Sequence, residues 1–220
     1  HPELLDWLAV ELVERGWSLK SLHRTIVHTR AYRRDSANRA DLTAKDPDNR
    51  LLARQTRLRL DAELVRDSAL VASGILTRKV GGPPVFPPIP DGVMSLGQVK
   101  RVWNTSKGPD RTRRGLYTFT YRVTPPPAFA VFDAPDGLAS CTRRNRSNTP
   151  LQALTLLNDP AFFEAAQALA AVIEKEGLAA AFRRCTSRAA EAAELAVLAK
   201  LDPLSAARAL LNLDETITRD

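Results

Sequence analysis

TPLQALTLLNDPAFFEAAQALAAVIEKEG, residues 149–177, contains two helix starts and one helix stop. Thr149-Pro150-Leu151-Gln152 has the form of a capping box, with threonine as N-cap, proline at the first helical position and glutamine at the third. Asp159-Pro160 supplies a second cap and first turn, and the run PAFFEAAQALAAVIEKE then stops at Gly177. LAAAFRRCTSRAAEAAELAVLAKL follows and predicts one or two more helices, broken near Thr186-Ser187. SAARALLNLDETI predicts a last apolar-striped helix.

The other end of the chain reads the same way. In PELLDWLAVELVERG, Pro2 fits a first turn, Leu4, Leu5, Leu8, Leu12 and Val13 recur at helical spacing, and Gly16 suits the C-terminal cap. Ser18 then caps SLKSLHRTIVHTRAYRR. Residues 35–48 are polar, and the break at Asp46-Pro47 predicts helix resuming near Asn49. RLRLDAELVRDSALVASGIL, residues 57–76, predicts a helix with Leu60, Leu64, Val71 and Ile75 along one stripe. That helix would place Arg57 one turn before Asp61, and Glu63 beside Arg66 and Asp67.

Between these parts the composition shifts. VGGPPVFPPIPDG, residues 80–92, has five prolines and can neither continue a helix nor pair in a central strand, so an extended surface run is expected. PPPAFAVFDAP reads as a second extended connector. In RTRRGLYTFTYRVTPPP, Tyr117, Phe119 and Tyr121 alternate with threonine as in a strand, although the same residues could pack as a short helix. The reading is a mostly α protein, with helical N- and C-terminal parts joined by a proline-rich irregular middle. One domain over residues 1–220 is expected, in three segments: 1–79, 80–140 and 141–220.

With 44% hydrophobic and 26% charged residues, the 220-residue chain has a globular rather than a disordered composition. No apolar run reaches the length of a membrane span. The net charge is +7, and 25 of the 32 basic residues are arginine, whose planar fork suits carboxylate, sulfate or phosphate. Nucleic acid is the usual partner of a basic chain, but zinc-finger spacing, aromatic RNA-binding motifs and a helix-turn-helix pattern are all absent, so that partner is set aside. Cys141 and Cys185 are the only cysteines and read as two buried free thiols. With no CxxCH, no CxxC pair, and His23 and His28 on different helical faces, no metal or haem ligand set is present.

Several blocks occurring in one order, HPELLDWLA, WSLKSLHRTIV, AYRRDS, DPDNRLLAR, RLRLDAELVRDSALVASG, RRGLYTF, PPPAFAVFDAP, CTRRNRSNTPLQALTLLNDP and ARALLNLDE, resemble the planctomycete domain of unknown function numbered 1553. The resemblance spans nearly the whole chain. It implies a helix-rich fold, with RRGLYTF as helix rather than strand. It further implies an exported, multidomain parent with a periplasmic or cell-surface address, in which upstream domains are partners and any haem lies upstream, leaving this chain without a cofactor. By the same resemblance a further family segment precedes HPELLDWLA, so the chain corresponds to the C-terminal portion of the domain. Where the family closes on NLDEF or NSDEF, Thr216 follows Asp214-Glu215 here, which is expected to weaken the last core contact. The family brings no activity with it.

The candidate site is the basic run CTRRNRSNT. Arg143, Arg144 and Arg146, with Asn148 and Thr149, stand just upstream of a helix start whose free N–H groups and dipole favour anions. Two readings are open. The arginines could receive sulfate, phosphate or a sugar carboxylate, making the chain a docking or polysaccharide-binding module. They could instead pair with Asp61, Glu63 or Asp133 and fasten a long loop to the helices. The second has more weight, because arginine clusters beside acidic helices are more often architecture. A carbohydrate-active enzyme sharing its site with upstream domains is the alternative from another class, but no spacing singles out a carboxylate pair and no catalytic residue can be assigned.

Overall fold

The computed structural model describes residues 1–37, 40–95 and 99–219. They form two compact units, residues 1–57 and 58–219.

In the first unit, α1 (Pro2–Glu14) and α2 (Leu19–Val27) are followed by the short α3 (Ala40–Thr43). The chain leaves α1 through Gly16 at φ 64°, a backbone conformation glycine adopts without strain. The Ser18 hydroxyl accepts the Ser21 N–H at 3.2 Å and so caps α2. No residue of α1 is buried, and Leu5, Trp7, Val10 and Trp17 are exposed. The helix expected to resume near Asn49 does not form. Asn49 and Leu52 are both in the left-handed region, at φ 53° and 52°. The buried Asp46 carboxylate takes the N–H groups of Arg50 and Leu51 at 2.8 Å each, and Asn49 bridges the backbone of Arg54. Local side-chain hydrogen bonds thus outcompete helix here.

The second unit begins with β1 (Leu58–Arg59) and α4 (Ala62–Ala72), and continues with α5 (Pro127–Val131), α6 (Pro150–Asn158), α7 (Pro160–Glu176) and α8 (Leu178–Thr186). It ends with α9 (Ala192–Leu198), α10 (Pro203–Leu211), α11 (Asp214–Ile217) and β2 (Thr218–Arg219). The protein is mostly helical, as its sequence predicts. The core lies around α7, which packs on α4, α6, α8 and α10. Ala165, Ala166 and Ala170 let neighbouring helices come close, while Phe162, Leu169, Phe182 and Leu210 fill the space between them. The Asp159 side chain accepts from Ala161 N–H at 2.9 Å, α7 stops at Gly177, and Ser187, at φ 64°, ends α8.

Two expectations are corrected here. α4 starts only at Ala62, because β1 pairs antiparallel with β2 (Leu58 opposite Arg219), so Arg57 and Asp61 do not share a helical turn. PPPAFAVFDAP is not extended throughout: Pro127 opens the single-turn α5, and Phe129 and Phe132 enter the core. RRGLYTF holds a helix rather than a strand, in the 3-10 form, at Gly115–Tyr117. Its alternating aromatics instead bring Val85 alongside: Val85 N–H donates to Tyr117 O and Phe119 N–H to Val85 O, each at 2.8 Å.

The proline-rich middle has its own interior. Phe86 stacks on Phe119 at 5.0 Å between centroids and meets Trp103 edge-on at 5.1 Å, while Tyr121 packs edge-on against Phe119 at 4.8 Å. Trp103 donates its indole N–H to Pro87 O at 2.7 Å. The wholly buried Arg113 donates to the carbonyls of Pro83, Lys79 and Gly81 and lies 3.9 Å above the Tyr117 ring. One guanidinium therefore holds a segment that has no ladder of its own.

Thr216 is buried, its hydroxyl donates to Leu210 O at 2.8 Å, and the neighbouring Ile217 enters the core. Glu215 helps Glu194 hold Arg188.

Candidate functional site

α4 carries the charged side chains that organise the loops around it. Its N-cap residue is Asp61, and its first turn presents Glu63. The sequence suggests pairing along the helix, but these charges reach outward to two other segments, residues 111–115 and 143–146. Glu63 takes both terminal nitrogens of Arg144, at 2.7 and 3.2 Å. Asp67 accepts Arg114 Nε–H at 2.9 Å on one oxygen and Gly115 N–H at 2.6 Å on the other. The buried Arg66 donates to Arg111 O at 3.0 Å, and Arg111 grips Glu164 of α7 through two nitrogens. Burial lowers the Arg66 guanidinium to about 10, partly offset by Asp67, Asp159 and Glu164.

This frame places the residues of the 141–149 loop. Arg144 is half-buried and committed to Glu63 in a fork-to-carboxylate pair. Burial by itself would raise the Glu63 carboxyl, but the hydrogen bonds and charge of Arg144 outweigh it and hold Glu63 below its ordinary value. Arg146 Nη2 lies 3.6 Å from Asp61 Oδ1, a charge contact longer than a hydrogen bond, and Arg144 Nη1 stands 4.0 Å from Asp61 Oδ2. Arg143 is exposed and has no partner among the described residues. Asp133 is engaged by Ser147 and not by an arginine: Ser147 N–H and Oγ both donate to Asp133 Oδ2 at 2.7 Å. Leu58, Asp61, Arg143, Arg144, Asn145 and Arg146 line an open depression of about 650 Å³.

The capping box does not close. Thr149 occupies the N-cap position but makes no side-chain cap bond. Gln152 is 2% exposed and turns inward, its amide donating to Val131 O at 3.1 Å and to the Ser147 carbonyl and hydroxyl at 3.3 and 3.1 Å. The glutamine expected to reach back to the helix start instead ties α6 to α5. Asn148 is exposed. Cys141 is also exposed, not buried as predicted, because it lies on this surface loop, whereas Cys185 is half-buried and burial pushes its thiol up to about 12.

Sequence reading misses Arg66, Arg111 and Arg113 as organising residues. The signal of Arg111 and Arg113 is present in RTRR next to GLYTF, but a basic run looks the same whether its members turn inward or outward. Among the described residues no three His, Cys, Asp or Glu side chains gather as a metal ion would require. No helix among them is long and apolar enough to cross a membrane.

The fold and loop together define a helical domain in which Arg114 and Arg144 fasten two irregular segments to α4. The chain belongs to the family described as protein of unknown function (DUF1553), whose model matches residues 1–201. The matched span stops before α10, so the ARALLNLDE block lies outside it. No curated protein and no solved structure matches the chain.

Proposed function

We propose that the chain is a non-catalytic binding module of a multidomain, extracytoplasmic planctomycete protein, and that its 143–146 loop takes an anionic polysaccharide. One observation carries this reading. Of the three loop arginines only Arg144 is fully committed to an internal carboxylate, while Arg143 is unpartnered and Arg146 is only loosely paired, and both border an open depression. A guanidinium on a surface held in place by its neighbour loses little freedom when it meets a sulfate or carboxylate.

The carbohydrate-enzyme alternative draws no support from the carboxylates nearby. A general acid needs a raised carboxyl, and Glu63 is held in the opposite direction. Asp133 has Oδ2 committed to both donors of Ser147.

Dextran sulfate, with neutral dextran as control, tests the reading. Binding should weaken as salt rises and fall at least about tenfold in Arg143→Ala/Arg146→Ala with the fold unchanged by circular dichroism. Unchanged affinity in that double variant would end it.

A second reading, docking to a neighbouring domain, is favoured by the exposed apolar residues of α1, Leu4, Leu5, Trp7, Val10 and Val13. It expects Trp7 to be quenched freely by acrylamide in this chain and to be protected in the longer parent. Equal quenching in both would refute it.

A further inference from the structure

On the other side of α4's charged row, Leu64, Val71, Leu76 and Val80 form the apolar wall of a groove of about 510 Å³. Arg78, Arg114 and Arg184 stand among its lining residues. Its one lining carboxylate, Asp67, is spent: one oxygen accepts Arg114 Nε–H and the other Gly115 N–H. Among the described residues Arg114 therefore keeps both terminal nitrogens unused. Arg184 meets both oxygens of Glu176 through Nη2 alone, leaving Nη1 without a hydrogen-bond partner among the described residues. A Cβ built on Gly74 would lie 3.5 Å from that Nη1, so the free nitrogen sits over the turn that ends α4. Arg78 is exposed and has no partner among the described residues.

The charges of this groove give a definite sum. Arg114 is balanced by Asp67 and Arg184 by Glu176, so Arg78 contributes one uncompensated positive charge. Unused N–H donors remain on all three guanidiniums, beside a wall made mainly of hydrocarbon. A hydrocarbon wall with a few polar groups at its rim, in a volume of several hundred Å³, has the form of a small-molecule site. A dianion such as phosphate would exceed the single free charge and gain nothing from the wall. A neutral hydrocarbon would leave the donors to water.

We propose that this groove binds a small monocarboxylic acid with an apolar body, the carboxylate meeting Arg78 and the free nitrogens of Arg114 and Arg184, and the hydrocarbon lying on Leu64, Val71, Leu76 and Val80. The site is separate from the 143–146 loop and does not depend on the polysaccharide reading.

Titration with hexanoate, followed by amide chemical shifts of the full chain, tests it. Saturable shifts should centre on residues 64–80 and 184–187. Hexanol and acetate should each bind at least about tenfold more weakly, since each lacks one half of the recognition. Arg78→Gln, at an exposed position without internal partners, should keep the fold and weaken hexanoate by about tenfold, whereas Arg143→Ala/Arg146→Ala should leave it unchanged. Hexanol binding as well as hexanoate would reduce the groove to an apolar patch. Acetate binding equally would reduce it to a charge effect, and unaltered binding by Arg78→Gln or the absence of saturation would overturn the site outright.

Discussion

Glu63→Gln separates the structural from the binding duty of the arginine loop. The substitution keeps the size and planarity of the side chain and removes the charge that faces Arg144. In the wild type, two N–H groups of one guanidinium reach two oxygens of one carboxylate at 2.7 and 3.2 Å. Both side chains are partly exposed, 35% for Arg144 and 26% for Glu63, so water screens the pair and the buried-pair range does not apply. A bidentate, charge-assisted pair in that setting contributes about 1 kcal/mol, which lowers Tm by about 2–4 °C in a chain of this length.

The pH dependence has a definite sign. Glu63 is depressed in the folded chain, so its contribution is complete above the ordinary glutamate value of 4.5 and is lost as pH falls through the lower folded value. In urea titrations the gap between wild type and Glu63→Gln should be full at neutral pH and should close well below pH 4.5. Dextran sulfate should meanwhile bind about threefold more tightly to the variant, because a third arginine becomes available. A stability deficit that persists in acid would assign the loss to packing and not to charge. Weaker polyanion binding would show that Glu63 positions Arg144 for the ligand, and the division of labour argued here would be wrong.

Arg113→Met should cost about 3 kcal/mol or more in urea unfolding, since it strands the carbonyls of Lys79, Gly81 and Pro83; a loss below 1 kcal/mol would refute the clamp. Gly115→Ala should cost about 1–3 kcal/mol, because its Cβ would lie 2.7 Å from the Glu63 carbonyl and 2.8 Å from the Glu63 Cα, both backbone atoms that cannot turn aside. Thr149→Ala should cost less than about 0.5 kcal/mol, below the usual loss of a cap, as its hydroxyl makes no cap bond, whereas Gln152→Ala should exceed it. With a thiol reagent at neutral pH, Cys141 should react in the native chain, while Cys185, raised to about 12 by burial, should react only on unfolding.

The helices were readable where the chain states its own limits. Ser18, Asp159-Pro160 and Gly177 each act within three residues of themselves, so a cap or a stop can be recognised locally. Local sequence is silent where the deciding partner is distant along the chain. Leu58 and Arg59 look like the first turn of α4, but they pair with residues 218–219. The alternation in GLYTFTY is real, yet it finds one short partner at Val85 instead of a sheet. At Asn49 the deciding signal is local: Asp46 and Asn49 have the side chains that favour a turn over a helix.

The site follows the same rule, with a consequence for its interpretation. RTRR at 111–114 and RRNR at 143–146 are indistinguishable as patches of charge. In the first, Arg111 reaches Glu164, Arg113 is wholly buried on three carbonyls and Arg114 shares Asp67. In the second, one arginine of three has a close carboxylate. The difference comes from partners dozens of residues away: Glu164 of α7, the carbonyls of residues 79–83 and Asp67 of α4 for the first run, and Glu63 and Asp61 for the second. Net charge near α4 therefore says little about binding. What matters is which guanidiniums lack a close carboxylate after its acids have been matched: Arg143, unpartnered among the described residues, and Arg146, held only at 3.6 Å from Asp61, beside its first turn, and Arg78 in the groove along it. A positive result at either place requires the free arginines to lose affinity on substitution while the committed ones, Arg113 above all, lose the fold.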